Sequence, residues 1–121
     1  MECHNGTVTD WKEGALALMQ AVGSPNFQMY WQPNQHRTKE ENLAYAKLLA
    51  PYTHHIHVFN WRCPDGGKVQ KYPLNGAVDL WREYLAQIPG DRTLLLEFMP
   101  DDRLESLAVE AEALRLIAKT K

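Results

Sequence analysis

Two periods of apolar and polar residues alternate along this chain. From Asp10 to Val22 the residues Trp11, Ala15, Leu18, Met19 and Val22 recur at helical spacing. They predict a helix with Asp10 and Glu13 as its cap, closed by Gly23-Ser24-Pro25-Asn26. Phe27 to Trp31 then reads as a strand that Pro33 stops. Thr38-Lys39-Glu40-Glu41 is a capping box opening a second helix to about Ala50, with Tyr45, Leu48, Leu49 and Tyr52 as its buried stripe. The next strand runs from His55 to Phe59. After it comes a long loop, CPDGGKVQKYPLNG, turning at Asp65-Gly66-Gly67. That loop exceeds what scaffolding needs, so a functional role is expected of it. Val78 to Ile88 predicts a third helix, with Val78, Trp81, Leu85 and Ile88 facing inward. Pro89-Gly90-Asp91 turns the chain into the most apolar strand, Thr93 to Phe98. Asp102 and Glu105 are expected to cap a final helix bearing Leu104, Leu107, Ala111, Leu114 and Ile117.

Strands separated by helices imply parallel pairing, because a parallel pair needs a long crossover. The fold class is therefore α/β, either an open sheet or part of a (β/α)8 barrel. A complete barrel takes about 250 residues, and this chain has 121. Its start, Glu2-Cys3-His4, reads as the polar end of a strand whose apolar body is absent, as if Met1 began in the middle of an element.

Composition narrows the function. One compact domain fits the length. A net charge of −2 gives no general attraction to nucleic acid or anionic membrane. No apolar run approaches the roughly 20 residues that span a bilayer, and MECHNGTVTD has neither the basic start nor the apolar centre of a signal peptide. Two cysteines, Cys3 and Cys63, make no disulfide framework. A reducing, cytoplasmic location is the expectation.

The candidate chemistry sits where the strands end. Alternation puts Gln28, Tyr30 and Gln32 on one face of the Phe27 strand, His55 and His57 on one face of the next, and Leu95 and Glu97 on one face of the last. Each strand thus carries a ligand-type residue near its C-terminal end: Gln32, His57 and Glu97, with Glu2 as a fourth from the first segment. In parallel α/β folds ligands bind at that end. Carboxylate, imidazole and amide oxygen can together hold Mn, Mg, Co or Zn. Glu97 inside LLLEF is the sharpest signal, because glutamate is almost never buried unpaired. His54 and His55 read as packing or surface residues. Asp102 in Asp101-Asp102 is explained by helix capping. A zinc site from Cys3, His4, His57 and Cys63 lacks the paired spacing such sites use.

ECHNGTVTD, YWQPNQ, HIHVFNW, PLNG with a following Trp, and LLLEFMPDD occur in this order. Together they resemble the C-terminal half of the xylose isomerase-like TIM barrels, in particular the sugar phosphate isomerase/epimerase group. The likeness covers residues 1–121 as a single partial domain, from the end of the fifth strand through the eighth helix, with parallel strands and outer helices. It implies one divalent metal on Glu2, Gln32, His57 and Glu97. It further implies Glu2 and Glu97 as the acid and base that move a proton between adjacent sugar carbons through an enediolate. Arg62 is similar to an arginine that contacts substrate oxygens or phosphate, with Asn34 and His36 lining the same pocket. Gln32 departs from the family, which commonly has Asp there. The first four βα units are also missing. The resemblance then implies a small carbohydrate substrate and, as partner, either the missing N-terminal half-barrel or a second copy. Two rivals are a non-catalytic half-barrel that binds a carbohydrate or partner subunit, and a metal-dependent endonuclease, which the charge balance and the sparse histidines disfavour.

Overall fold

The computed structural model describes residues 1–119. In chain order its elements are α1 (Lys12–Val22), β1 (Met29–Trp31), α2 (Lys39–Leu49), β2 (Thr53–Val58), β3 (Trp61–Arg62), β4 (Gln70–Lys71), α3 (Val78–Gln87), β5 (Thr93–Leu96) and α4 (Leu107–Ala118). The fold is mixed α/β. Its main sheet has the order β1-β2-β5, and both pairings are parallel, as helices between the strands demand. Glu2 adds a parallel bridge to Tyr30. There Cys3 N donates to the Tyr30 carbonyl at 3.0 Å and Tyr30 N donates to that of Met1 at 2.7 Å. The first three residues thus line one edge of the sheet as the strand-like segment expected.

Alternation along each strand separates two surfaces. Met29, Trp31, Ile56 and Val58 are fully buried against Ala15, Met19, Tyr45, Leu49, Trp81 and Ile117 from the four helices. Tyr30, His55 and His57 point the other way, and none of the helices' buried side chains covers them. Among the described residues no helix is long and apolar enough to cross a membrane.

Local signals held where partners lie close in sequence. The Thr38 box is formed: Glu41 N donates to Thr38 Oγ1 at 3.1 Å and Thr38 N to Glu41 Oε2 at 2.8 Å. Gly23 closes α1 in the left-handed conformation at φ 59°. The long loop is not structureless. Within it β4 pairs antiparallel with β3, which precedes it, across a turn with Asp65 at φ 57° and Gly66 at φ 67°.

Other expectations needed correction. Asp10 does not cap α1: the cap position falls on extended Trp11. Asp10 N instead donates to Thr7 in a turn, and its carbonyl accepts from Asn34 Nδ2 at 2.8 Å. Asp102 does not cap the last helix either. It sits at φ 51° and receives Met99 N at 3.0 Å and Lys71 Nζ at 2.6 Å. Its neighbour Asp101 takes Arg103 N and Ser106 Oγ. The buried face of α4 is Glu110, Ala113 and Ile117, whereas Leu104 is 79% exposed and Leu107 is also exposed. Glu110 sets that rotation, because its Oε2 accepts the buried Leu74 N at 2.9 Å and an unsatisfied amide there would cost about 1–3 kcal/mol. Val22 and Leu48, placed in buried stripes by spacing, are exposed.

Candidate metal centre

Four side chains from four segments meet on the face of the sheet that the helices leave open. Glu2 comes from the edge ribbon, and Gln32 follows β1. His57 lies near the end of β2, and Glu97 stands just past β5, where its N–H still donates to the Val58 carbonyl at 3.0 Å. His57 Nδ1 is the meeting point. It lies 3.0 Å from Gln32 Oε1, 3.4 Å from Glu97 Oε2 and 3.5 Å from Glu2 Oε1. One ligand atom each from Glu2, His57 and Glu97 lie within 4.8 Å of one another. Three oxygens around one imidazole nitrogen repel each other unless something positive sits among them: a proton on Nδ1, or a cation.

The surroundings fix these groups. Glu2 is held through its backbone, whose carbonyl accepts from the buried Thr9 hydroxyl at 2.9 Å. The Tyr30 ring stacks on His55 at 4.6 Å and tilts against His57 at 5.2 Å, which limits imidazole rotation. Phe98 turns the chain sharply after Glu97, at φ 46°, a conformation bulky residues rarely adopt. The two carboxylates differ. Glu2's side chain is 41% exposed and Glu97's 22%. Burial pushes the Glu97 carboxyl up, against the pull of His57 and with the push of the Glu2 charge. Its Oε2 is buried and accepts no hydrogen bond. Such an oxygen is costly to keep, and a divalent cation would satisfy it. The donor set, two carboxylates, an imidazole and an amide oxygen, fits a cation of the Mn or Mg class or zinc.

The remaining candidates lie beside this cluster. Asn34 is buried and committed: its Nδ2 donates to Asp10 O, its Oδ1 accepts from His36 N at 2.9 Å, and its own N–H donates to Asn42 Oδ1 at 2.7 Å. His36 is exposed and lines a cleft of about 260 Å³ together with Gln32, Gln35 and Trp61. Its Nε2 lies 3.9 Å from Cys63 Sγ. Arg62, on β3, lines a second cleft of about 430 Å³ with Asn34, Asn60 and Trp81. A larger cleft of about 650 Å³, lined by Pro25, Tyr52 and His54, carries no carboxylate, lysine or arginine and does not include the cluster. Asn60 and Trp61, at the end of HIHVFNW, also line the cleft of about 430 Å³. Spacing does not mark them, because Asn60 bonds to Tyr72 and Pro73 and Trp61 packs on Phe98 and pairs with Lys71, all distant in sequence.

In comparison with known proteins, no family model, no curated protein and no solved structure matches this chain.

Proposed function

We propose that this chain is the C-terminal half of a xylose isomerase-like barrel of the sugar phosphate isomerase/epimerase type. In this reading Glu2, Gln32, His57 and Glu97 hold a divalent cation, and the site moves a proton between adjacent carbons of a small carbohydrate. The observation that carries it is the convergence of three oxygens on His57 Nδ1, with Glu97 Oε2 buried and accepting no hydrogen bond. A bound cation supplies Lewis-acid polarisation of the substrate's carbonyl and hydroxyl oxygens. The chain's own residues do the rest. Glu97, whose carboxyl burial raises above its ordinary value, is the member of the pair that takes up a proton and returns it. Glu2, more exposed, takes the proton from the neighbouring carbon, so the pair serves as acid and base across an enediolate. Gln32 contributes an amide oxygen in place of a charge, which lowers cation affinity relative to a site with a third carboxylate. Arg62, Asn34 and His36 bound the approaches to the cluster. The open face calls for a covering half, from another segment or a second copy, to keep water from the enediolate.

A non-catalytic carbohydrate-binding half-barrel is the second reading. The open sheet face and the missing third carboxylate favour it. Calorimetric titration of the purified chain with Mn2+, beside Glu97→Gln and His57→Ala, tests the cluster. Saturable binding that both substitutions abolish is expected. A folded wild type that takes up no Mn2+ rejects the metal centre. Turnover assays on ketose and aldose substrates then separate the two readings.

A further inference from the structure

The loop after β2 is longer than a connection needs, and its hairpin is fastened at two points. β3 rises from the core. Phe59, just before it, is buried, its carbonyl accepts Trp81 Nε1 at 2.8 Å, and its ring stacks on Trp61 at 4.2 Å. Trp61 stands opposite Lys71 on β4. Both reach Phe98, the residue after Glu97. The Trp61 ring lies 5.4 Å from the Phe98 ring, and Lys71 Nζ sits over that ring at 4.6 Å. The same ammonium donates to Asp102 Oδ2 at 2.6 Å, while Asp102 Oδ1 accepts Met99 N at 3.0 Å. One rung of the hairpin therefore grips the turn over residues 98–102 at Phe98 and again at Asp102.

That turn needs holding. Phe98 at φ 46° and Asp102 at φ 51° both lie in the left-handed region, which a phenylalanine rarely adopts. Burial does not keep Phe98 there, since it is 57% exposed. Its ring contacts among the described residues are Trp61 and Lys71. An isolated exposed ion pair contributes little. Here the residues of the pair also carry a cation–π contact and a backbone hydrogen bond, so the contacts form or break as one unit. The chain leaves the sheet at Phe98, one residue after Glu97 N donates to Val58 O at 3.0 Å. Whatever holds Phe98 left-handed holds Glu97 just past β5, with its Oε2 3.4 Å from His57 Nδ1. We propose that Lys71, Phe98 and Asp102 are positioning residues: they clasp the end of β5 to the β3–β4 hairpin and keep Glu97 against His57. This rests on the proposed function only for the cation that Glu97 meets there.

Two readouts on the full chain test it: amide hydrogen exchange without metal, and Mn2+ titration by calorimetry. The variants are Lys71→Met, Asp102→Asn (which keeps an acceptor for Met99 N), their double, and Phe98→Ala. In Lys71→Met the Glu97 and Met99 amides should exchange faster by about threefold or more, while those of Ile56 and Val58 keep the wild-type rate. Mn2+ affinity should fall by about the same factor. Asp102→Asn should match Lys71→Met, and the double should be no worse than either single, because all three break one contact. Phe98→Ala, which removes the ring and both its contacts, should show the largest change. Arg115→Gln, which breaks the exposed pair with Glu112 on α4, should change neither readout. Coupling is reciprocal, so saturating Mn2+ should slow exchange of Tyr72 N, bonded to Asn60 O at 2.8 Å at the base of the hairpin. Lys71, Phe98 and Asp102 are exposed, so the variants should stay folded, which the Ile56 and Val58 amides report. Unchanged Glu97 exchange in Lys71→Met, additive losses in the double, or faster exchange with Mn2+ affinity intact overturns the proposal. The two ideas fail separately. A wild type blind to Mn2+ rejects the metal centre and leaves the exchange pattern to decide the clasp. Mn2+ uptake of equal strength in every variant keeps the metal centre and rejects the clasp.

Discussion

The two faces of the main sheet come from the same strands and behave oppositely. On β2, Ile56 and Val58 are sealed under the helices while His55 and His57, one residue away, face the open side. The edge ribbon repeats this: Cys3 is buried and Glu2 is half-buried. On the covered face Glu110 accepts Leu74 N, although the indole N–H of Trp31 has no hydrogen-bond partner. On the open face Glu97 Oε2 accepts no hydrogen bond and has His57 Nδ1 beside it at 3.4 Å. Apolar burial is concentrated on one surface and the ligand-type side chains Glu2, His57 and Glu97 on the other.

That contrast can be broken by substitution. Trp31→Ala, on the covered face, should cost about 3–5 kcal/mol in urea unfolding. Tyr30→Ala, its neighbour on the open face, should cost less than about 1.5 kcal/mol, chiefly the lost contact with His55 and His57. Similar losses at both positions would mean that the open face carries structural weight too.

Alkaline titration probes the covered side of the edge ribbon. Burial lifts the Cys3 thiol to about 11, against an ordinary value of 9.0. A group raised in the folded state gives stability that is complete below its unfolded value and is lost as pH climbs to the folded one. Stability should therefore decline between pH 9 and 11 by up to about 3 kcal/mol. Cys3→Ala should flatten the first part of that decline. Tyr84, raised to about 12 by burial, extends it further up. A profile from the Cys3→Ala protein that overlays the wild type would contradict this account.

The two glutamates that are largely buried sharpen the comparison with smaller effects. Glu110→Ala should destabilise by about 1–3 kcal/mol, because Leu74 N loses its acceptor. Glu97→Gln should leave stability unchanged or raise it by about 1 kcal/mol or less, since it removes a desolvated carboxylate without a donor. The same substitution should abolish Mn2+ uptake. Cation affinity should also weaken as pH falls, since the carboxylates and imidazole must shed protons to bind. Thermal melts with and without Mn2+ measure both effects together.

Much of this was legible in the sequence. Thr38 and Glu41 announced a helix start because both partners of the box lie within one turn. The register of Gln32, His57 and Glu97 could be read because a strand reverses its faces at every residue. The misread positions share another cause. Asp10 and Asp102 have the right side chains for capping, yet the Asp10 main-chain carbonyl is taken by distant Asn34 and the Asp102 carboxylate by Met99 N and distant Lys71. Leu104 and Leu107 fit the same helical stripe as Leu114 and Ile117, but only the later pair packs on the core, while Glu110, anchored on Leu74 N, takes the buried place in the first turns of α4.

What the sequence determined by itself was periodic and local: the order of strands and helices, the start of α2, the end of α1, and which strand residues share a side. Sterics and hydrogen bonds over a few residues are enough to decide those. Only the tertiary structure could bring Glu2 to Glu97, leave Glu97 Oε2 without a donor, and gather Arg37, Lys39 and Arg62 around a cleft free of carboxylates. Those outcomes depend on which segments the parallel pairing sets side by side, and on how the helices covering one face rotate to satisfy their buried polar groups.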